Sequence, residues 1–137
     1  MSEFEEFKIN VRLTLSALWT SVMFCYIYGD YFELYVPGKV NGLLNGTSIL
    51  DTPLKLFSAT VMLTVPALMI ARSLMLKPTI SRVLNIVFGM FFTLLMLLIA
   101  AVSFTEWRTF YVFLALVESA ITATIMVQAW RWKKSND

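Results

Sequence analysis

RVLNIVFGMFFTLLMLLIAAVSF, residues Arg82 to Phe104, is the stretch on which the fold turns. After Arg82 it holds no Asp, Glu, Lys or Arg, and the next charged residue along the chain is Glu106. As a helix it would be roughly 34 Å long, enough to cross the roughly 30 Å hydrocarbon core of a bilayer. Asn85 and Thr93 share one face with Gly89, Ser103 lies near its end, and the rest after Arg82 is apolar. In lipid such a segment satisfies its backbone groups internally only as a helix.

Working outward, three more segments have this character. A first span runs from about residue 13 to 35 and is ended by Pro37 and Gly38. Asp51-Thr52-Pro53 reads as a helix start, with a capping residue and an early proline, and opens a second span over about 54–76. Pro66 inside that span is expected to kink it. The third span covers 82–104 after the link Lys77–Ser81, and the fourth covers about 108–130 after a tight connection at Thr105-Glu106-Trp107. Between the first two spans, Gly38, Gly42 and Gly46 stand at four-residue spacing. They are compatible with a close-packed helical turn, but a flexible loop is the simpler expectation. The amino-terminal flank, with Glu3, Glu5 and Glu6, does not have the basic start of a secretory signal.

Composition agrees with this reading. Of 137 residues, 58% are hydrophobic and 15% charged, against about a quarter charged in soluble domains. Four spans leave no room for a separate soluble domain, so residues 1–137 are expected to form a single all-α membrane domain, a polytopic four-helix bundle. The basic residues are distributed unevenly. Lys8, Arg12, Arg72, Lys77, Arg82, Arg131, Lys133 and Lys134 fall on one side, and Lys39, Lys55 and Arg108 on the other. The positive-inside rule then places both termini in the cytoplasm. Trp107, Trp130 and Trp132 lie near span ends, where indoles favour the interface, whereas Trp19 is expected to pack inside the bundle.

The chain has one cysteine, Cys25, and no histidine. An intramolecular disulfide, a dithiol redox pair and a Cys/His zinc site are therefore excluded within one chain. No metal-ligand cluster, phosphate loop or nucleophile elbow is present, no cofactor is expected, and the net charge of +2 gives no argument for nucleic acid.

The residues that stand out are acids. Glu118 lies about ten residues into the fourth span, roughly 15 Å deep, near the midplane. A charged group there costs about 2.5–3.5 kcal/mol on insertion scales, so Glu118 should face the bundle interior. Ala115, Ser119 and Ala123 beside it form a small-residue ridge suited to close helix packing, as do Asn85 and Gly89 on the third span. Tyr111 and Thr122 are placed to hydrogen-bond the Glu118 carboxyl. No cation is expected at its depth, so it should be protonated much of the time or held by hydroxyl donors. Arg12, Ser16, Trp19, Met23, Tyr26, Asp30 and Glu33 form one stripe along the first span, which should face other helices or a wet cavity. Glu118, Asp30, Tyr26 and Glu33 are thus the candidate proton or ligand site. The alternative for Asp30 is an interfacial ion pair with Lys55 or Arg108.

The runs LSALWTSVMFCYIYGDY (residues 15–31), RVLNIVFG (82–89) and FYVFLALVE (110–118) resemble a family of small four-helix bacterial membrane proteins catalogued as a domain of unknown function. The resemblance spans nearly the whole chain. It implies a multi-pass protein of the cell inner (plasma) membrane, and it implies no activity.

Three function classes fit these residues. One is a small oligomeric transporter or channel coupled to protons or cations, with buried carboxylates as the exchanging groups. Another is a non-catalytic accessory or scaffold subunit of a larger membrane complex. The third is a membrane-embedded enzyme acting on a lipid or quinone. The expected partners are the lipid bilayer and a second copy of the chain or a larger complex.

Overall fold

The computed structural model describes residues 4–133, so Glu3 and Lys134 of the sequence reading lie outside the described residues. Its helices are α1 (Val11–Glu33), α2 (Lys39–Leu44), α3 (Pro53–Met75), α4 (Pro78–Val102) and α5 (Thr109–Arg131), with a 3₁₀ turn at Glu106–Arg108 before α5. Four of them, α1, α3, α4 and α5, are long and apolar enough to cross a membrane. The chain is a multi-pass membrane protein, and no strand occurs among the described residues. The start of α1, the end of α5 and the α3–α4 link lie at one end of the bundle, here the terminal end. The opposite end, with α2 and the 3₁₀ turn, is the loop end.

Local chemistry sets the helix boundaries. The Asn10 side chain accepts the Arg12 backbone N–H at 2.9 Å and starts α1, two residues before the expected Leu13. Thr52 caps α3 through the Lys55 N–H at 3.3 Å, with Pro53 at the first helical position. Pro78 opens α4 in the same way. The expected five-residue link between the second and third spans is therefore mostly helical, because a proline at the first position already has the helical φ and lacks only an N–H that would be unpaired.

The segment after α1 differs from the simpler expectation. Gly38 (φ 80°) and Gly46 (φ 67°) adopt left-handed conformations that bracket the six-residue helix α2, so this region is a helical turn and not a flexible loop. Its three glycines have separate roles: two end the turn, and Gly42 accommodates the Thr47 hydroxyl, 3.4 Å from where a Cβ would sit.

α1 packs against α3 and α5, and α4 lies along α5. The α3–α4 contact is small. Leu15, Trp19 and Val22 of α1, Met69 of α3, Phe92 and Met96 of α4 and Ile125 of α5 form the buried core. Trp19, fully buried, meets Phe92 edge-on at 6.0 Å. The α4–α5 seam is close because Gly89 has no side chain. A Cβ there would lie 3.1 Å from the Thr122 carbonyl oxygen and 3.3 Å from Met126. Beside that approach the Thr93 and Thr122 hydroxyls hydrogen-bond at 2.8 Å. Ala115 and Ser119 are buried and Ala123 is half-buried. Small side chains bring helices close where lipid supplies no hydrophobic drive between them.

α3 is the least embedded span. Only Pro66, Met69 and Ser73 are buried along it, all in the half nearer the terminal end. Pro66 has no N–H to give the Met62 carbonyl. In the half toward the loop end, Ser58, Thr60 and Thr64 return their hydroxyls to their own helix. This half of α3 stands off from the bundle enough to leave a cavity between α3 and the other spans.

Candidate functional site

The cavity has a volume of about 200 Å³. α1 contributes Tyr26, Gly29 and Asp30, α5 contributes Tyr111, Leu114, Ala115 and Glu118, and α4 contributes Met96 and Ile99. Ala59, Met62 and Leu63 of the loop-end half of α3 form another wall, and Leu50 reaches it from the connection after α2. Glu118 is 5% exposed. It sits nine residues past Thr109 at the start of α5, so about 14 Å along the helix axis. Asp30 lies one turn from the end of α1 and is exposed. The two acids therefore mark the deep and shallow parts of one space.

The polar groups around the cavity are incompletely paired. The Tyr26 hydroxyl is buried and has no hydrogen-bond partner among the described residues. Neither Thr122 nor Tyr111 bonds the Glu118 carboxyl, contrary to the expectation. The Thr122 hydroxyl bonds the Glu118 backbone carbonyl at 2.9 Å and Thr93 across the seam. Helical geometry explains this: a threonine hydroxyl lies close to the carbonyl four residues back. Tyr111 lines the cavity, with the Arg108 guanidinium 5.3 Å from its ring centroid.

Among the described residues, no basic side chain lines the cavity. The cations expected for Asp30 are engaged elsewhere. Lys55 pairs with Asp51, one turn before it, at 2.6 Å. Arg108 Nη2 pairs with Glu33 Oε1 at 2.9 Å. Lys39 of α2 reaches the same Glu33 oxygen at 3.0 Å. Glu33 thus does not line the cavity. It is the centre of a three-residue ion cluster that ties the end of α1 to α2 and to the start of α5. The one-turn difference between Asp30 and Glu33 decides this, since Glu33 is level with the 3₁₀ turn that carries Arg108.

The terminal-end half of the bundle holds a different polar cluster, which residue spacing does not reveal. Asn85 Oδ1 accepts the Trp19 indole N–H at 2.7 Å. Its Nδ2 donates to the Ser81 carbonyl at 2.8 Å and to the Ser73 hydroxyl at 3.2 Å. Trp19, Ser73, Ser81 and Asn85 are all fully buried. Asn85 and Gly89 lie at helix contacts, as their spacing suggests, but Ser73 and Ser81 give no signal beyond being polar near a span end. Nearby, Ser16 donates to the Ile70 carbonyl at 2.9 Å and Arg12 to the Leu74 carbonyl at 3.1 Å. The polar stripe of α1 therefore divides in two. Ser16 and Trp19 hold helices together, and Tyr26 and Asp30 face the cavity.

Residues 1–137 match a family described as a family of unknown function, DUF6326. The chain belongs to DUF6326. No curated protein and no solved structure matches the chain. The family covers the acid-lined cavity, the Glu33 cluster and the Asn85 cluster alike, and supplies no reaction or ligand for any of them.

No group of three or more potential metal ligands occurs among the described residues. Cys25 is a half-exposed free thiol on α1, outside the cavity lining. Chemically, the cavity offers two carboxyls, two phenols and otherwise apolar walls.

Proposed function

We propose that the protein is a small transporter or channel of the cell inner membrane that carries protons or small cations, with Glu118 as the exchanging group and Asp30 at the entrance. One observation carries this reading: two carboxyls face a single cavity among the spans whose lining, among the described residues, contains no cation. Two like-charged groups in a low-dielectric space need protons or a positive guest to balance them. At about 200 Å³ the cavity is smaller than the roughly 300–1,000 Å³ of drug-sized sites. It suits a proton on a few waters, an inorganic cation or a small amine. Both termini are assigned to the cytoplasm by the lysine and arginine bias, so the cavity would open away from the cytoplasm.

The test is proton movement in proteoliposomes loaded with a pH-sensitive dye. Wild type is expected to dissipate an imposed proton gradient at least ten-fold faster than empty liposomes. Glu118→Gln, which preserves shape and hydrogen bonding, is expected to fall to the empty-liposome rate while keeping its helical circular dichroism. Equal rates for wild type and Glu118→Gln would overturn the assignment.

A second reading, an accessory subunit of a larger membrane complex or a homo-oligomer, is favoured by the sparse embedding of α3. Its loop-end half presents Leu54, Phe57 and Val61 outward, a face able to receive another transmembrane helix. On that reading wild type and Glu118→Gln both give the empty-liposome rate.

A further inference from the structure

We propose a binding site for an anionic phospholipid on the α4–α5 seam at the terminal end, independent of the acid-lined cavity. Two adjoining spaces form one groove there. The outer, about 460 Å³, is bordered by Arg82, Val83, Trp130 and Lys133. The inner, about 450 Å³, continues past Ile86 and Trp130, which line both, to Met90, Met126 and Arg131. Arg82, Ile86 and Met90 are successive four-residue steps on α4, so the groove runs from a cationic mouth about 12 Å along the helix into a mainly apolar channel whose α5 wall also carries Arg131.

The mouth is built for a phosphate at interfacial depth. Arg82 is oriented by hydrogen bonds from Nε to the Ala129 carbonyl at 3.1 Å and from Nη2 to the Trp130 carbonyl at 3.0 Å. These hold the guanidinium at the C-terminus of α5, where the helix dipole favours a cation. Its Nη1 has no protein acceptor among the described residues. Lys133 lies across the mouth, and among the described residues no Asp or Glu lines either space. The Thr79 and Ile80 N–H groups in the first turn of α4 have no intrahelical acceptor and add positive potential. Trp130 is largely exposed at the rim, as indoles are at the headgroup level. A headgroup phosphate at Arg82 and Lys133, with an acyl chain along Ile86, Met90 and Met126, satisfies both halves of the groove at once. A free phosphate would satisfy only the mouth. Basic pockets between transmembrane helices recognise anionic headgroups in this way.

The test uses the full chain in phosphatidylcholine bilayers with a trace of spin-labelled phosphatidylglycerol or, separately, spin-labelled phosphatidylcholine. Wild type is expected to immobilise the phosphatidylglycerol label preferentially. Lys133→Gln should weaken that preference about five-fold, the order of effect of one basic residue near an anionic headgroup. Val83→Trp, which fills the groove without altering charge, should abolish it. Lys133 and Val83 are both exposed, so neither change should disturb the bundle, which unchanged thermal melts would verify. Equal immobilisation of the two lipids by wild type, a full preference in either variant, or displacement of the label by millimolar inorganic phosphate would overturn the proposal.

Discussion

Asn85 and Glu118 are both buried polar residues in apolar helices, yet their surroundings differ in kind. Asn85 uses its oxygen and its amide nitrogen on partners from α1, α3 and its own helix. Glu118 has no hydrogen bond to its carboxyl among the described residues and faces a cavity. The first arrangement is structural, because every group removed leaves a buried partner unpaired. Asn85→Leu would strand the Trp19 indole N–H and the Ser73 hydroxyl. It is expected to destabilise the bundle by about 2 kcal/mol, in the range for unsatisfied buried donors and interhelical hydrogen bonds. Denaturant titration in detergent micelles measures this, and unchanged stability would show that these groups find other partners. That Glu118 must face inward was legible in the sequence, since an acid at mid-span is too costly in lipid. Its partners were not. Whether Thr122 bonds a side chain or a backbone carbonyl depends on rotamers that spacing alone does not specify.

Among the four spans, α4 and α5 form the closest pair and α3 is the least embedded. The tight seam depends on Gly89, whose absent Cβ leaves room for the α5 backbone at Thr122. Because the obstruction is backbone and not the end of a flexible side chain, Gly89→Ala should push the helices apart by a few tenths of an ångström. The expected loss is about 1–2 kcal/mol, typical of overpacking, and weaker Thr93–Thr122 coupling should accompany it. A double-mutant cycle with Thr93→Ala and Thr122→Ala, run once in the wild-type chain and once with Gly89→Ala present, measures this, and identical coupling in both would refute it. The small-residue spacing of Asn85-Gly89-Thr93 and of Ala115-Ser119-Ala123 marked these faces as packing surfaces. That α3 stands away at the loop end was not marked. Its apolar residues suit lipid and protein contacts equally well, so hydropathy carries no information about which they meet.

For the whole molecule, four spans place the start of α1 and the end of α5 at the same end of the bundle, and the basic residues concentrate toward that end. Reporter fusions at the two termini and at Lys77 are expected to give one common signal, cytoplasmic by the charge bias. Fusions at Asn45 and Glu106 should give the opposite one. Discordant signals from the two termini would contradict the four-span fold. Opposite but concordant signals would overturn only the cytoplasmic assignment. Number and approximate length of the spans follow from the sequence alone, because the bilayer imposes a thickness and forbids unpaired backbone, and both constraints act on each segment separately. The sequence also singled out Tyr26, Asp30 and Glu118 as polar groups that should avoid lipid. Only the tertiary structure decided that these three line one cavity, that Glu33 is instead held by Lys39 and Arg108, and that Asn85 joins three helices. Those outcomes depend on the rotation and lateral placement of each helix, which are set by side-chain fit between helices and leave no trace in the hydropathy of any one of them.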